Sequence, residues 1–251
     1  MSKGIVRSGT GGWTYEPWRG TFYPPGLRQK DEQAYAVSHL SAIEINATYY
    51  RLQSAKSFAA WAKVAPDGFR YAVKASRYAT NRTKLAEAGE SIAKFVGQGL
   101  SELGDRLGPI VWQFAPTKKF DADDFGAFLA LLPKDVDGLP LQHALEVRHA
   151  SFNDPAFFAL AREAKAAIVY ADHPEYPCID EDTADFRYAR LMQARSDVPT
   201  GYDAGEIAAF ASMAQDWTRN GKDAYLFFIN GAKERAPAAA MALIADMKAR
   251  M

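Results

Sequence analysis

The sequence predicts an α/β fold of the TIM (β/α)8 type, and three observations carry that reading. Strand-like runs alternate with helix-like patterns through eight units, which implies a parallel sheet covered by helices. Eight such units in 251 residues match the usual size of this barrel. The strands finish on polar residues, as they do where a barrel gathers its functional loops. An open doubly wound sheet is the alternative, but no G-x-G-x-x-G or Walker-type loop supports it. Gly9-Thr10-Gly11-Gly12 is a weak glycine-rich match without the lysine of a P-loop. No repeat, low-complexity tract or linker divides the chain, so we expect one barrel domain over residues 1–251.

Residues 5–8 read as the first strand. A long loop follows over residues 9–26, punctuated by glycine and proline and carrying Trp13, Tyr15, Trp18, Phe22 and Tyr23. Loops of that length are functional or disordered, and the aromatic load argues against disorder. Residues 31–40 form a short helix before the second strand, Ala42-Ile43-Glu44-Ile45-Asn46. Ser54 caps a helix marked by Phe58, Trp61, Ala62 and Ala65, and Pro66 stops it. Residues 69–74 are the third strand. A polar loop over 75–89 leads into a helix with Ile92, Phe95, Val96, Leu100 and Leu103. Residues 110–114 are the fourth strand, and Phe125, Phe128, Leu129 and Leu132 mark the helix after it. Residues 143–148 are the fifth; Asp154 and Pro155 then open a helix at its cap and first position. Residues 167–172 and 186–191 are the sixth and seventh strands, with a weak or missing helix between them. Asp203 and Glu206 form a capping box ahead of Ile207, Phe210, Ala211, Ala214 and Trp217. Gly221 suits the position just past that helix. Residues 225–230 are the last strand, and Pro237 opens the last helix.

Bulk properties exclude several classes. Lys plus Arg and Asp plus Glu both total 30, so no global field attracts nucleic acid or an anionic membrane. Cys178 is the only cysteine, so it has no disulfide partner within the chain, and a buried or inert thiol is expected. No apolar run approaches the ~20 residues of a membrane helix. With no signal peptide visible, the expected location is the cytoplasm.

Side chains alternate faces along a strand, so Ala42, Glu44 and Asn46 share one face. Under covering helices that face is not bulk solvent, and a buried carboxylate needs partners. Other strand ends follow suit: Lys74, Gln113, Glu146 and Arg148, Asp172, Arg190 and Asn230. In a barrel these ends converge, giving a charge-balanced ring of Glu44, Glu146 and Asp172 against Lys74, Arg148 and Arg190. A network that merely closes the barrel top is the bland alternative.

Separated segments also resemble a known family. Gly9-Thr10-Gly11-Gly12-Trp13-Thr14-Tyr15, Trp18, Phe22-Tyr23-Pro24, residues 43–51 and residues 69–74 are similar to the YecE-like family (domain of unknown function 72). Leu145-Glu146-Val147-Arg148-His149, Tyr188-Ala189-Arg190-Leu191 and residues 225–230 continue the likeness across nearly the whole chain. The resemblance implies a TIM-barrel fold and brings no settled activity. Three positions depart from the family pattern. Thr80-Asn81 stands where Thr-His is usual, Leu191-Met192-Gln193 where Leu-His-Gly is usual, and Phe152 where tryptophan is common. Two mouth histidines are therefore missing.

The expected function is an enzyme, hydrolytic or lyase-like, acting at the barrel mouth on a polar or anionic small molecule such as a sugar, nucleotide or phosphoester. Glu44, Glu146, Lys74 and Asp172 are the catalytic candidates. Trp13, Tyr15, Asn46, Tyr50, Arg51, Gln113, Arg148, His149, Arg190 and Asn230 are the binding candidates. The cations should lower the carboxyl pKa values and disfavour an acid role. Lys74 could form a Schiff base if desolvated, but an ion pair with Glu44 that keeps it protonated is favoured. No motif requires a cofactor. A divalent metal held by Glu44, Glu146, Asp172, His149 and His173, as in an endonuclease- or isomerase-like barrel, is one alternative. A noncatalytic nucleic-acid binder is the other, with Trp13, Tyr15, Trp18, Tyr49, Tyr50 and Tyr78 stacking bases beside Arg19, Arg51, Arg77 and Arg82.

Overall fold

The computed structural model describes residues 3–250. Eight strands run parallel: β1 (Val6–Gly11), β2 (Ala42–Ile45), β3 (Arg70–Lys74), β4 (Leu107–Gln113), β5 (His143–Glu146), β6, β7 (Phe186–Leu191) and β8 (Asp223–Phe228). Strand β6 comes in two pieces, Ala167–Ile168 and Tyr170–Asp172. The first piece pairs with β5 and the second with β7. The sheet order β6-β5-β4-β3-β2-β1-β8-β7-β6 thus begins and ends on the same strand, which closes the barrel.

Helices α1 (Glu32–His39), α2 (Ala47–Tyr50), α3 (Ala55–Val64), α4 (Arg77–Thr80), α5 (Gly89–Val96), α6 (Ala122–Ala130), α7 (Pro155–Glu163), α8 (Ala204–Thr218) and α9 (Ala236–Ala249) connect them. No helix lies between β6 and β7 among the described residues, as the sequence predicts. The local signals act as read. The Ser54 hydroxyl accepts from the Ser57 amide, Asp154 accepts from Ala156, and Asp203 and Glu206 cap each other's amides.

Several elements differ from expectation for physical reasons. Strand β1 runs on to Gly11, so Gly9 to Gly11 belong to the barrel, and the loop begins at Gly12. A Cβ on Gly9 would come within 1.7 Å of the Ala42 carbonyl oxygen, so only glycine lets β2 approach. The polar segment after β3 contains α4, capped by the Ser76 hydroxyl. Strand β8 ends before Asn230, which has φ +65° and turns the chain away. A small ribbon, Asp135–Val136 with Leu139–Pro140, is too short to show in any sequence periodicity.

Two apolar layers result. Outside the strands, Ile43, Ile45, Tyr71, Trp112, Phe114 and Leu145 pack under the helices. Inside, a wall of small residues, Ala42, Ala72, Ala144 and Ala167, faces the aromatics Phe186, Tyr188, Tyr225 and Phe227 of β7 and β8. The inward positions nearer the C-terminal ends of the strands are polar, and these build the mouth.

Candidate active site at the barrel mouth

Inward positions of β2, β5 and β7 form a buried ionic floor. Arg190 donates to Glu44 Oε1 at 3.0 Å through one nitrogen and to Glu146 Oε2 through the other. The Tyr188 hydroxyl, two residues earlier on the same face, donates to Glu44 Oε2 at 2.6 Å. Gln113 donates to Glu146 Oε2 at 2.7 Å, and Arg148 clamps Glu146 Oε1 with two nitrogens at 2.9 and 2.8 Å. Both glutamates are completely buried. Burial alone would raise the Glu146 carboxyl, but Arg190, Arg148 and the Gln113 amide outweigh it and bring it to about 2. Burial lowers the Arg190 pKa and Glu146 and Glu44 more than reverse this, so the guanidinium stays charged. Burial and the Glu44 carboxylate push the Tyr188 phenol far up, so it remains a donor.

Above this floor opens a pocket of about 360 Å³. Lys74 and Lys233 both line it, and each places its ammonium 4.3 Å from the centre of a tyrosine ring, Tyr49 and Tyr15 respectively. Neither makes an ion pair among the described residues, because Glu44 and Glu146 are taken by arginines. This corrects the expected Lys74–Glu44 pair: Arg190 reaches across the barrel and occupies both carboxylates. The Lys74 side chain is only 8% exposed. Burial first, then the charge of Arg190, lower its ammonium to about 8 against the pull of Glu44 and Glu146. Burial lowers Lys233 as well.

Of the residues expected at the mouth, Asn46, Tyr50, Lys74, Gln113, Arg148, Arg190 and Asn230 line the pocket. Glu44 and Glu146 lie beneath it. Others go elsewhere. Asp172 pairs in register with Leu191, on the outer face of β6, and accepts from the Gln193 amide. It shares that face with Tyr170, whose ring packs on Trp217 of α8. Asp172 therefore stands outside the pocket, on the outer face of the barrel. His149 caps a short turn, its Nδ1 accepting from the Ser151 amide at 3.1 Å. Trp13 packs against Trp61 and Tyr71 in the helical layer, and Arg51 points to solvent outside the pocket. Tyr15 reaches the site only through Lys233. The first loop is thus largely structural: Trp18 is buried and donates to the Lys233 carbonyl at 2.9 Å, which fixes the segment that carries Lys233. Of the two alternatives for Cys178, a buried or an inert thiol, the first fails: the residue is exposed, and partial desolvation of its sulfur raises its pKa.

Sequence reading missed Lys233 and Tyr188, and it named Tyr49 only as a base-stacking candidate. Tyr188 was legible, since it alternates with Arg190. Lys233 opens a three-residue 3-10 helix after β8, too short to show any periodicity. Among the described residues no three His, Cys, Asp or Glu side chains gather as a metal-holding group. Of the five residues proposed as ligands, Glu44 and Glu146 meet at Arg190, while His149 caps its turn, His173 stacks on Tyr176, and Asp172 faces outward.

A sequence model described as "Protein of unknown function DUF72" matches residues 7–251. The chain belongs to the DUF72 family. Its fold is similar to a DUF72 protein of Thermotoga maritima, with a TM-score of 0.77 and 22% identity over 98% of this chain and 100% of that one. A DUF72 protein of Enterococcus faecalis gives 0.78 and 18% identity over 97% and 96%. The UPF0759 protein YunF of Bacillus subtilis is 27% identical over 144 residues, 55% of this chain and 50% of that protein. In this DUF72 chain the two positions lacking histidine do other work. Asn81 donates to the Tyr49 hydroxyl at 3.2 Å, and the Met192 sulfur accepts from Asn230 at 3.6 Å. Phe152 is buried among Phe114, Phe120, Phe125 and Phe157. No helix is long and apolar enough to cross a membrane among the described residues.

Proposed function

We propose that this DUF72 protein is an enzyme that takes a small anionic molecule into the barrel mouth, with Lys74 and Lys233 receiving the anionic group. One observation carries the reading. The pocket holds two ammonium groups with no acid partner, Lys74 buried and Lys233 half-buried, while every carboxylate beneath them is already satisfied by arginine. An unpartnered buried cation is costly, and an anionic ligand removes that cost. A cation contributed by the loop after β8 also fits the habit of TIM barrels to bind phosphate near strands 7 and 8.

The chemistry follows from protonation. Glu146, at about 2, stays ionised and is a poor general acid. Lys74, at about 8, can hold or release a proton near neutral pH. A hydrolytic or lyase-type step with Lys74 as the proton-transfer group is the class that this set supports. Glu44, Glu146, Arg190 and Tyr188 hold the floor and keep the local field fixed.

Thermal shift tests the binding half. Inorganic phosphate, glycerol 3-phosphate and adenosine monophosphate serve as probes against glycerol and adenosine. At ten times Kd a ligand adds about 1.4 kcal/mol, a rise of about 3–6 °C for a chain this size. Phosphate-bearing probes should give that rise and Lys233→Gln should remove it. Equal shifts from the neutral counterparts, or no shift with any probe, would overturn the reading.

A further inference from the structure

The zero net charge of the chain conceals a one-sided distribution. No Asp or Glu occurs in residues 45–66 or 68–86, whereas Arg51, Lys56, Lys74, Arg77, Arg82 and Lys84 do. These segments include the βα connections after β2 and β3 that carry α2 and α4. The two short helices are tied together by the Asn81–Tyr49 hydrogen bond. Their outer surface is both aromatic and cationic. Tyr50 is 62% exposed and Tyr78 is 60% exposed. The Arg77 guanidinium lies 5.3 Å from the Tyr78 ring centre and within the field of the Tyr49 and Tyr50 phenols. Arg51 is exposed one residue after Tyr50.

Exposed tyrosines of this kind are not explained by packing, since α2 and α4 bury other residues: Thr48 in one, Ala79 and Thr80 in the other. The buried Thr48 hydroxyl donates to the Lys74 carbonyl at 2.7 Å and anchors α2 on the barrel. The helices therefore present Tyr50 and Tyr78 outward from a fixed base. Flat aromatic faces interleaved with guanidinium groups, and no carboxylate in the same segments, complement a strand of phosphates and unpaired bases.

We propose that this rim binds single-stranded nucleic acid, with bases stacking on Tyr50 and Tyr78 and phosphates meeting Arg51 and Arg77. This stands apart from the reading of the pocket, because it uses surface residues of α2 and α4 and their flanks. Tyr50 touches both, so a strand on the rim passes the pocket entrance.

Fluorescence anisotropy with a labelled 20-nucleotide dT strand and a 20-nucleotide RNA of mixed sequence tests it, over a series of salt concentrations. The Tyr50→Ala/Tyr78→Ala variant should bind about 5- to 150-fold more weakly for each base that no longer stacks. The Arg51→Gln/Arg77→Gln variant should flatten the slope of log K against log salt by about 0.7 for each phosphate left without its arginine. Heparin supplies charge without bases. If it competes as well against the tyrosine variant as the oligonucleotides bind to it, with no weakening from wild type, the surface is a general polyanion site and base stacking is refuted. Absence of oligonucleotide binding by wild type at low salt overturns the proposal outright. The substituted residues are exposed, and unchanged melting temperatures of both variants check that the fold is kept.

Discussion

Replacing Lys74 by methionine should make the protein more stable while removing the group proposed to transfer a proton. Methionine keeps the length and most of the volume of the lysine stem and deletes the charge. The ordinary lysine value is 10.5, so the drop to about 8 corresponds to about 3 kcal/mol of penalty for holding the ammonium in the fold at neutral pH. The face of Tyr49 offsets only part of such a penalty. The sign follows from which state binds the proton more tightly. Below about pH 8 the amine is charged in both states and the fold carries the whole penalty. Between about 8 and 10.5 the folded state sheds its proton before the unfolded state does, so stability rises. Above 10.5 both are neutral and nothing remains to gain. Lys74→Met should therefore gain about 3 kcal/mol at pH 7, or about 6–12 °C in Tm, and the gain should shrink towards zero by pH 10.5. Urea unfolding of both proteins at pH 7 and at pH 10, read by far-UV circular dichroism, measures this. A variant less stable than wild type at pH 7, or a gain that persists undiminished at pH 10, refutes the argument that Lys74 is an unpaired, desolvated cation.

Two further predictions concern the floor and the barrel wall. Arg190→Met strips Glu44 and Glu146 of their shared guanidinium and should cost about 3–5 kcal/mol at pH 7, a deficit that narrows below about pH 5 as a freed carboxyl takes up a proton. Wild type should itself lose stability as pH falls from 4.5 towards about 2, because the folded Glu146 carboxyl is depressed below its unfolded value. Urea unfolding from pH 7 down to about pH 2 checks both, and a deficit that does not vary with pH counts against the buried ion network. Gly9→Ala should cost about 3 kcal/mol or more, since its Cβ would meet the Ala42 carbonyl oxygen at 1.7 Å. Gly126→Ala in α6, whose Cβ meets only the Leu160 Cδ2 at 3.6 Å, should instead gain roughly 0.5–1 kcal/mol. Thermal melts of the two variants should move in opposite directions.

The fold was legible because its signals are local and repeated. Ser54, Asp154 and the Asp203–Glu206 box each specify a helix start without reference to the rest of the chain. The polar strand ends were legible for the same reason, since alternation along one strand says which residues share a face. What alternation does not say is which face is inward. Strand β6 shows the difference: Asp172 follows Ile168 and Tyr170 to the outer face, while Ala167, Val169 and Ala171 face in. Partner choice was hidden too. The chain offers Lys74, Arg148 and Arg190 to two glutamates, and sequence order favours none of them. Distance across the barrel decides, because a guanidinium on β7 is long enough to touch β2 and β5 together. Lys233 was invisible because its turn after β8 is held by a hydrogen bond from Trp18, 215 positions earlier in the chain.

The allocation of charge at the mouth is the strongest argument that function resides on the amines. Two buried carboxylates could have been neutralised with two lysines, leaving a closed and electrically quiet barrel top. Here Arg190, Arg148, Tyr188 and Gln113 satisfy the carboxylates completely. Lys74 and Lys233 are then surplus to the fold, and both are held where burial lowers their affinity for a proton. A network built only to close the barrel would leave no such surplus, because each unpaired cation subtracts from stability. Retaining two of them around one pocket fits the proposed anionic ligand, and the stability released by Lys74→Met measures what it costs the fold to keep one of them.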